Sequence, residues 1–166
     1  MSLGIKRIRP LRAITSSFEG TPGDVPNRFD EMYTWARERG LRIGDRDPIG
    51  RMNLPWTAIL HDDEDTDPDD TRDIDLWMPI DGAGSSDLQY SVKDITHSNV
   101  AFMIHRGPMN KFEESIAQLF EWAERKELAF RGRVHRRLFT RGVDANPEDP
   151  DWEAEIQIPL QQSRSS

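Results

Sequence analysis

The sequence predicts an α+β domain made by tandem duplication of a βαββ unit, with an antiparallel sheet, two main helices and a central ligand groove. Three observations lead there. Displacing the chain by 87 positions sets Gly20 on Gly107, Trp35 on Trp122, Ala36 on Ala123 and Leu41 on Leu128 without a gap. Displacing it by 80 sets Asp75-Leu76-Trp77-Met78-Pro79-Ile80 on Glu155-Ile156-Gln157-Ile158-Pro159-Leu160. Between the matched blocks, Asp81-Gly82-Ala83-Gly84-Ser85-Ser86 has the composition of a linker.

The elements follow in order. A strand is expected over 6–18 and a helix over 25–39. In that helix Phe29, Met32 and Tyr33 align with Ile116, Leu119 and Phe120, so both copies repeat apolar residues three and four apart. Asp30-Glu31 and Glu113-Glu114 stand early in the two helices, where the positive end of the macrodipole favours carboxylates. Gly40 closes the first helix. Strands over 48–60 and 72–80 complete the first half. The second half reads as a strand over 91–105, a helix over 110–127 and strands over 133–140 and 152–160. The smaller second offset makes the connection before the last strand shorter in the second half. The surplus of the first half falls on 62–73, expected as a long exposed loop. One domain over 1–166 thus divides into a first repeat at about 5–80, a linker at 81–90, a second repeat at about 91–160 and a frayed end at 161–166.

The bulk composition agrees with a folded domain. Hydrophobic residues make up 36% and charged residues 31%, and five Trp with seven Phe exceed what a disordered chain carries. At 166 residues the chain is long enough to bury most of its apolar surface. No run approaches the roughly 18 apolar residues of a membrane span, and Met1-Ser2-Leu3-Gly4 does not open a secretory signal. The absence of cysteine excludes disulfides, thiolate catalysis and cysteine metal sites. A cytoplasmic protein is the expectation, with no membrane contact. The net charge of −8 is local, because eight of the thirty acids lie within 62–73. That acidity disfavours nucleic acid as a partner.

Alternation divides the matched strands into two faces. Ile74, Leu76, Met78 and Ile80, with Ala154, Ile156, Ile158 and Leu160, form an apolar row that should pack on the helices. The opposite face carries Asp73, Asp75, Trp77 and Pro79, then Glu153, Glu155, Gln157 and Pro159. A large indole on a solvated face is unusual, and the acid recurs at equivalent positions. Packing of the halves about a pseudo-twofold axis would make these faces the walls of a groove.

Other constellations carry less. Asp63, Asp65 and Asp67 resemble the opening of a calcium loop, but Pro68 replaces its glycine and Ile74 its bidentate glutamate, so a solvated loop and no metal are expected. His97, His105 and His135 lack metal-ligand spacing. His105 and His135 lie on strands from which they could reach the groove. The basic cluster Arg131, Arg133, His135-Arg136-Arg137 and Arg141 divides over both faces of its strand and has no aromatic ladder. Ser115, Ser91 and Ser98 have no nucleophile-elbow context. Trp35 and Trp122 belong to the helical core.

Four stretches together resemble the GyrI-like small-molecule-binding family, which includes effector-binding domains of bacterial multidrug-responsive transcription activators. They are His105-Arg106-Gly107-Pro108, Leu119-Phe120-Glu121-Trp122-Ala123, Arg46-Asp47-Pro48-Ile49-Gly50, and the segment from Trp152 to Leu160. The resemblance implies two SHS2-type βαββ units around a pocket for aromatic, often cationic, compounds. It places a ligand-contacting acid at Glu155 and its first-half counterpart at Asp75. The short segment before the first strand leads one to expect a stand-alone domain without the DNA-binding helices of such regulators. The ligand-binding set expected here is Glu155, Trp77, Asp75, Gln157 and His105, with no cofactor. The ring of Trp77 and the charge of Glu155 would attract an aromatic cation. Two alternatives come from other classes. One is a hydrolase of strained electrophilic small molecules with Glu155 as general base. The other is a gyrase-inhibitor-like protein-interaction module that uses the acidic loop.

Overall fold

The computed structural model describes residues 3–48, 50–82, 84, 90–96, 98–143 and 145–161. His97, most of the expected linker and residues 162–166 lie outside the described residues. The elements are β1 (Leu3–Ile8), β2 (Leu11–Gly20), α1 (Val25–Glu38), β3 (Arg42–Ile43), β4 (Trp56–Asp62), β5 (Arg72–Asp81), β6 (Ser91–Ile95), β7 (Ser98–Arg106), α2 (Phe112–Arg125), β8 (Arg133–Phe139) and β9 (Glu153–Pro159). The strands form one antiparallel sheet in the order β1-β7-β9-β8-β4-β5-β2-β6, with the short β3 pairing separately with β5. The fold is therefore α+β.

The order reads the same from both edges once the halves are exchanged. β2, β5 and β4 of the first half mirror β7, β9 and β8 of the second, and the two triplets join through β4 and β8. The outermost strands cross over, since β1 lies beside β7 and β6 lies beside β2. Three sequence expectations need correction. The strands expected over 6–18 and 91–105 are each two strands. At Arg9-Pro10 the chain breaks because proline has no N–H for the ladder, and β1 then leaves for the other half. The strand expected over 48–60 begins only at Trp56; before it, Asp47 caps a tight turn through the Arg51 and Gly50 amides.

Both helices lie on one side. Backbone pairing carries Leu76, Ala58, Arg137, Ile156 and Met103 along one row of the sheet face that meets them. Phe29, Met32, Trp35 and Ala36 of α1, with Ile116, Leu119, Phe120 and Ala123 of α2, join Ile14, Ile74, Leu76, Met78, Ile156 and Ile158 in a single core. The apolar row expected to pack on the helices does so. Removing a core side chain of this kind, Leu76→Ala for example, costs about 2–5 kcal/mol. The core also holds a polar cluster. Arg137 donates to His135 Nε2 at 3.0 Å and to Glu113 Oε1 at 3.0 Å, and His135 Nδ1 donates to the Arg133 carbonyl at 2.9 Å. Burial, then the neighbouring Arg137 charge, pushes His135 down to about 3, so this imidazole is neutral.

Candidate ligand-binding face

The site is built on the sheet face that the helices leave open. One row across it runs Thr15, Trp77, Thr57, Leu138, Glu155 and Ile104. The next runs Ser17, Asp75, Ile59, Arg136, Gln157, Phe102 and Gly4. Trp77 and Gln157 are equivalent in the repeat, as are Asp75 and Glu155. Antiparallel pairing of β4 with β8 sets each beside the other's partner, so indole and carboxylate share a row. Thr57, Ile59, Glu153, Glu155 and Gln157 are buried although no helix covers them. The side chains of this face therefore close over one another.

Glu153, Glu155 and Asp75 on this face each have a partner, whereas Asp73 lies exposed at its edge. Glu155 Oε2 takes the Lys6 ammonium at 2.7 Å and the Gln157 amide at 2.6 Å. Glu153 Oε2 takes Arg51 at 2.9 Å and Arg106 at 3.1 Å. Burial works against its charge, but these two guanidinium groups and Thr140 prevail, and its carboxyl stays below the ordinary range. Asp75 accepts the Ser17 hydroxyl at 2.6 Å and faces His61 Nε2 at 2.8 Å. Beside it lies an open cleft of about 480 Å³ lined by Ser17, Phe18, Glu19, His61, Asp73 and Asp75. The aromatic rings are engaged by cations as well. Lys6 Nζ lies 4.4 Å from the Phe102 centroid, and the Arg136 guanidinium lies 4.8 Å from that of Trp77.

Of the residues expected at the site, the structure sets Glu155, Trp77, Asp75 and Gln157 on this one face. His105 is not with them. Its position on β7 directs it to the helices, where Nδ1 meets Ser115 Oγ at 2.7 Å and the ring packs edge-on against Phe112 and Trp152. His135 likewise faces the core. Sequence reasoning missed Lys6, Phe102 and Arg136. Alternation along 133–139 already separates Arg136 from His135 and Arg137, but the placement of Lys6 depends on the crossed-over edge strand, for which the sequence carries no local sign.

The model of the GyrI-like small molecule binding domain matches residues 1–161, and the chain belongs to that family. No match is found among curated proteins. Among solved structures, the EcmrR C-terminal domain is similar at a TM-score of 0.76 and 14% identity, covering 98% of both chains. EcmrR in complex with DNA is similar at 0.73 and 13%; there this chain spans 58% of the other's length. SAV2435 bound to tetraphenylphosphonium gives 0.59 and 12%, over 97% of this chain and 94% of that one. A hydrolase encoded by lin2189 from Listeria innocua gives 0.59 and 14%, over 95% and 92%. At these identities the likeness is one of fold. Among the described residues no helix is long and apolar enough to cross a membrane.

Proposed function

We propose that this chain holds an aromatic small molecule on the helix-free face of its sheet, between Trp77 of the first half and Phe102, Glu155 and Gln157 of the second, in the manner of an effector-binding domain. The supporting observation is the polar run along β9: Glu153, Glu155 and Gln157 are buried on a face without helices, which they share with the half-buried rings of Trp77 and Phe102. Enclosing two carboxylates takes dedicated partners, here Lys6 for Glu155 and Arg51 with Arg106 for Glu153, which a plain solvated face has no need of. Family membership supports small-molecule binding in general, and SAV2435 supports a ligand built of aromatic rings.

A cationic ligand of that kind meets an obstacle here. It reaches Glu155 only by displacing Lys6. A hydrolytic role for Glu155 is less well supported, because Lys6 and Gln157 both hold its Oε2 and leave only Oε1 to accept a proton from water. The acids of 63–70 are poor candidates for docking a basic protein, since Asp63 and Asp70 bond to their own loop.

The test is calorimetric titration with 2-naphthamide, a neutral aromatic probe. Trp77→Ala should weaken binding by about 1–2 kcal/mol through lost aromatic contact. Trp122→Phe, on the helical side, should not change it. Equal affinity for wild type and Trp77→Ala would move the ligand away from this face.

A further inference from the structure

Arg136 stands at the middle of the proposed binding face, on a central strand, between Ile59 and Gln157 in its row. Its guanidinium lies against the Trp77 ring, and its Nη1 is 3.5 Å from Ser98 Oγ, the outer limit of a hydrogen bond. Nε is buried without an acceptor. Burial pushes the group down to about 10, with no carboxylate opposing the shift, yet it remains charged at neutral pH. Each of the other cations nearby has an acid partner: Lys6 has Glu155, Arg51 and Arg106 share Glu153, and His61 faces Asp75. At the centre of the face Arg136 stands as a cation without an acid partner among the described residues.

We propose that the ligand of this face bears an oxyanion, in the simplest case a carboxylate, that pairs with Arg136 while its aromatic part packs among the rings. The inference rests on the aromatic-ligand reading above and specifies its charge. A guanidinium engaged with an indole at 4.8 Å keeps N–H donors for a second partner, and two parallel N–H donors match the spacing of carboxylate oxygens. Ser98 Oγ stands beside the guanidinium and adds a third donor. The ligand then supplies the counter-ion that the fold withholds, and a cation of equal size meets repulsion at the same place.

Three probes of one shape decide the matter by calorimetry: 2-naphthoate, 2-naphthamide and 2-naphthylmethylammonium. Wild type should bind naphthoate about tenfold or more tightly than naphthamide, the scale of one charge-assisted hydrogen-bonded pair. Arg136→Gln and Arg136→Met should remove the preference, so that naphthoate and naphthamide bind alike; naphthamide, whose carbonyl also accepts from Arg136, should weaken by a smaller factor than naphthoate. A wild-type preference for the amide or the ammonium overturns the proposal, as does a naphthoate preference that survives both substitutions. Binding of all three without charge preference sinks this inference and leaves the aromatic face standing. Failure of all three to bind removes both. If either variant does not fold, the charge order in wild type decides alone.

Discussion

Lys6 Nζ lies 2.7 Å from Glu155 Oε2, so a strand at the start of the first half supplies the counter-ion for an acid in the last strand of the second. The contact exists because β1 crosses to the edge beside β7, with Lys6 opposite Val100. Glu155 is almost enclosed, whereas Lys6 keeps part of its surface in water. Losing the lysine therefore strands a buried charge, while losing the acid only frees a flexible cation.

The two single substitutions should differ accordingly. Lys6→Met should cost about 1–3 kcal/mol and Glu155→Gln less, with the double variant recovering much of the loss of Lys6→Met. Urea denaturation of the four proteins gives the cycle. Lys6→Met should also raise affinity for 2-naphthylmethylammonium, because the internal cation no longer competes for Glu155. A cycle with no coupling would reduce the pair to a surface contact.

The duplication was legible because both copies keep their apolar anchors at one offset. The matched positions include all of α1 and α2, and the same offset sets β2 on β7. Trp77, Asp75, Glu155 and Gln157 could be placed on one face because alternation along β5 and β9 is unbroken. His105 was misplaced because the strand expected over 91–105 was not divided into faces. Its neighbours Ala101 and Met103 are core residues, and that parity would have directed it inward. Lys6 and Arg136 were not legible as site residues. Their roles arise from crossed edges and from contacts between distant strands, and alternation within one strand reports neither.

His135 should set an acid limb on stability. Its folded value lies near 3 against 6.5 for the free side chain, so the unfolded chain takes up a proton that the folded chain refuses. Stability from this group is fully present above pH 6.5 and is lost as pH falls toward 3. Glu153, held below the ordinary carboxyl range, adds its own loss only under more acidic conditions. From pH 6.5 to pH 4.5 the histidine alone should remove about 2–3 kcal/mol. His135→Gln, which keeps an acceptor for Arg137, should flatten that part of the profile measured by urea midpoints.

Glu127 occupies a backbone position suited to glycine. Both helices end with paired returns: Leu41 N to Ala36 O and Gly40 N to Arg37 O after α1, Leu128 N to Ala123 O and Glu127 N to Glu124 O after α2. The left-handed residue is Gly40 at φ 67° in one and Glu127 at φ 58° in the other. Glu127→Gly should stabilise by about 0.5–1 kcal/mol, through relief of the left-handed strain and removal of an anion from the negative helix end. Gly40→Ala should cost a similar amount, since a Cβ there meets no atom and only the backbone conformation resists it. Shifts of opposite sign in the thermal midpoint check both.

Arg72 separates the part of the acidic loop that matters from the part that does not. Its guanidinium is buried and bonds to Asp62 Oδ2 at 3.3 Å, the Asp70 carbonyl at 3.1 Å and the Asp67 carbonyl. Two of these acceptors are main chain, so the arginine ties the loop to the start of β5. Asp62 depends on it too, because burial raises that carboxyl's pKa and the Arg72 charge is the largest influence opposing the rise. Arg72→Ala should therefore cost about 2–4 kcal/mol, releasing the loop and leaving Asp62 without its counter-ion. Glu64→Ala and Asp69→Ala, exposed on the same loop, should each stay within about 0.5 kcal/mol of wild type. Asp62→Asn placed on Arg72→Ala should return part of the loss, since it removes the stranded charge but not the freed main chain. Full recovery would assign the whole effect to the ion pair, and no recovery would assign it to the carbonyl contacts. A small effect of Arg72→Ala itself would show that the loop holds its shape through its own aspartate turns.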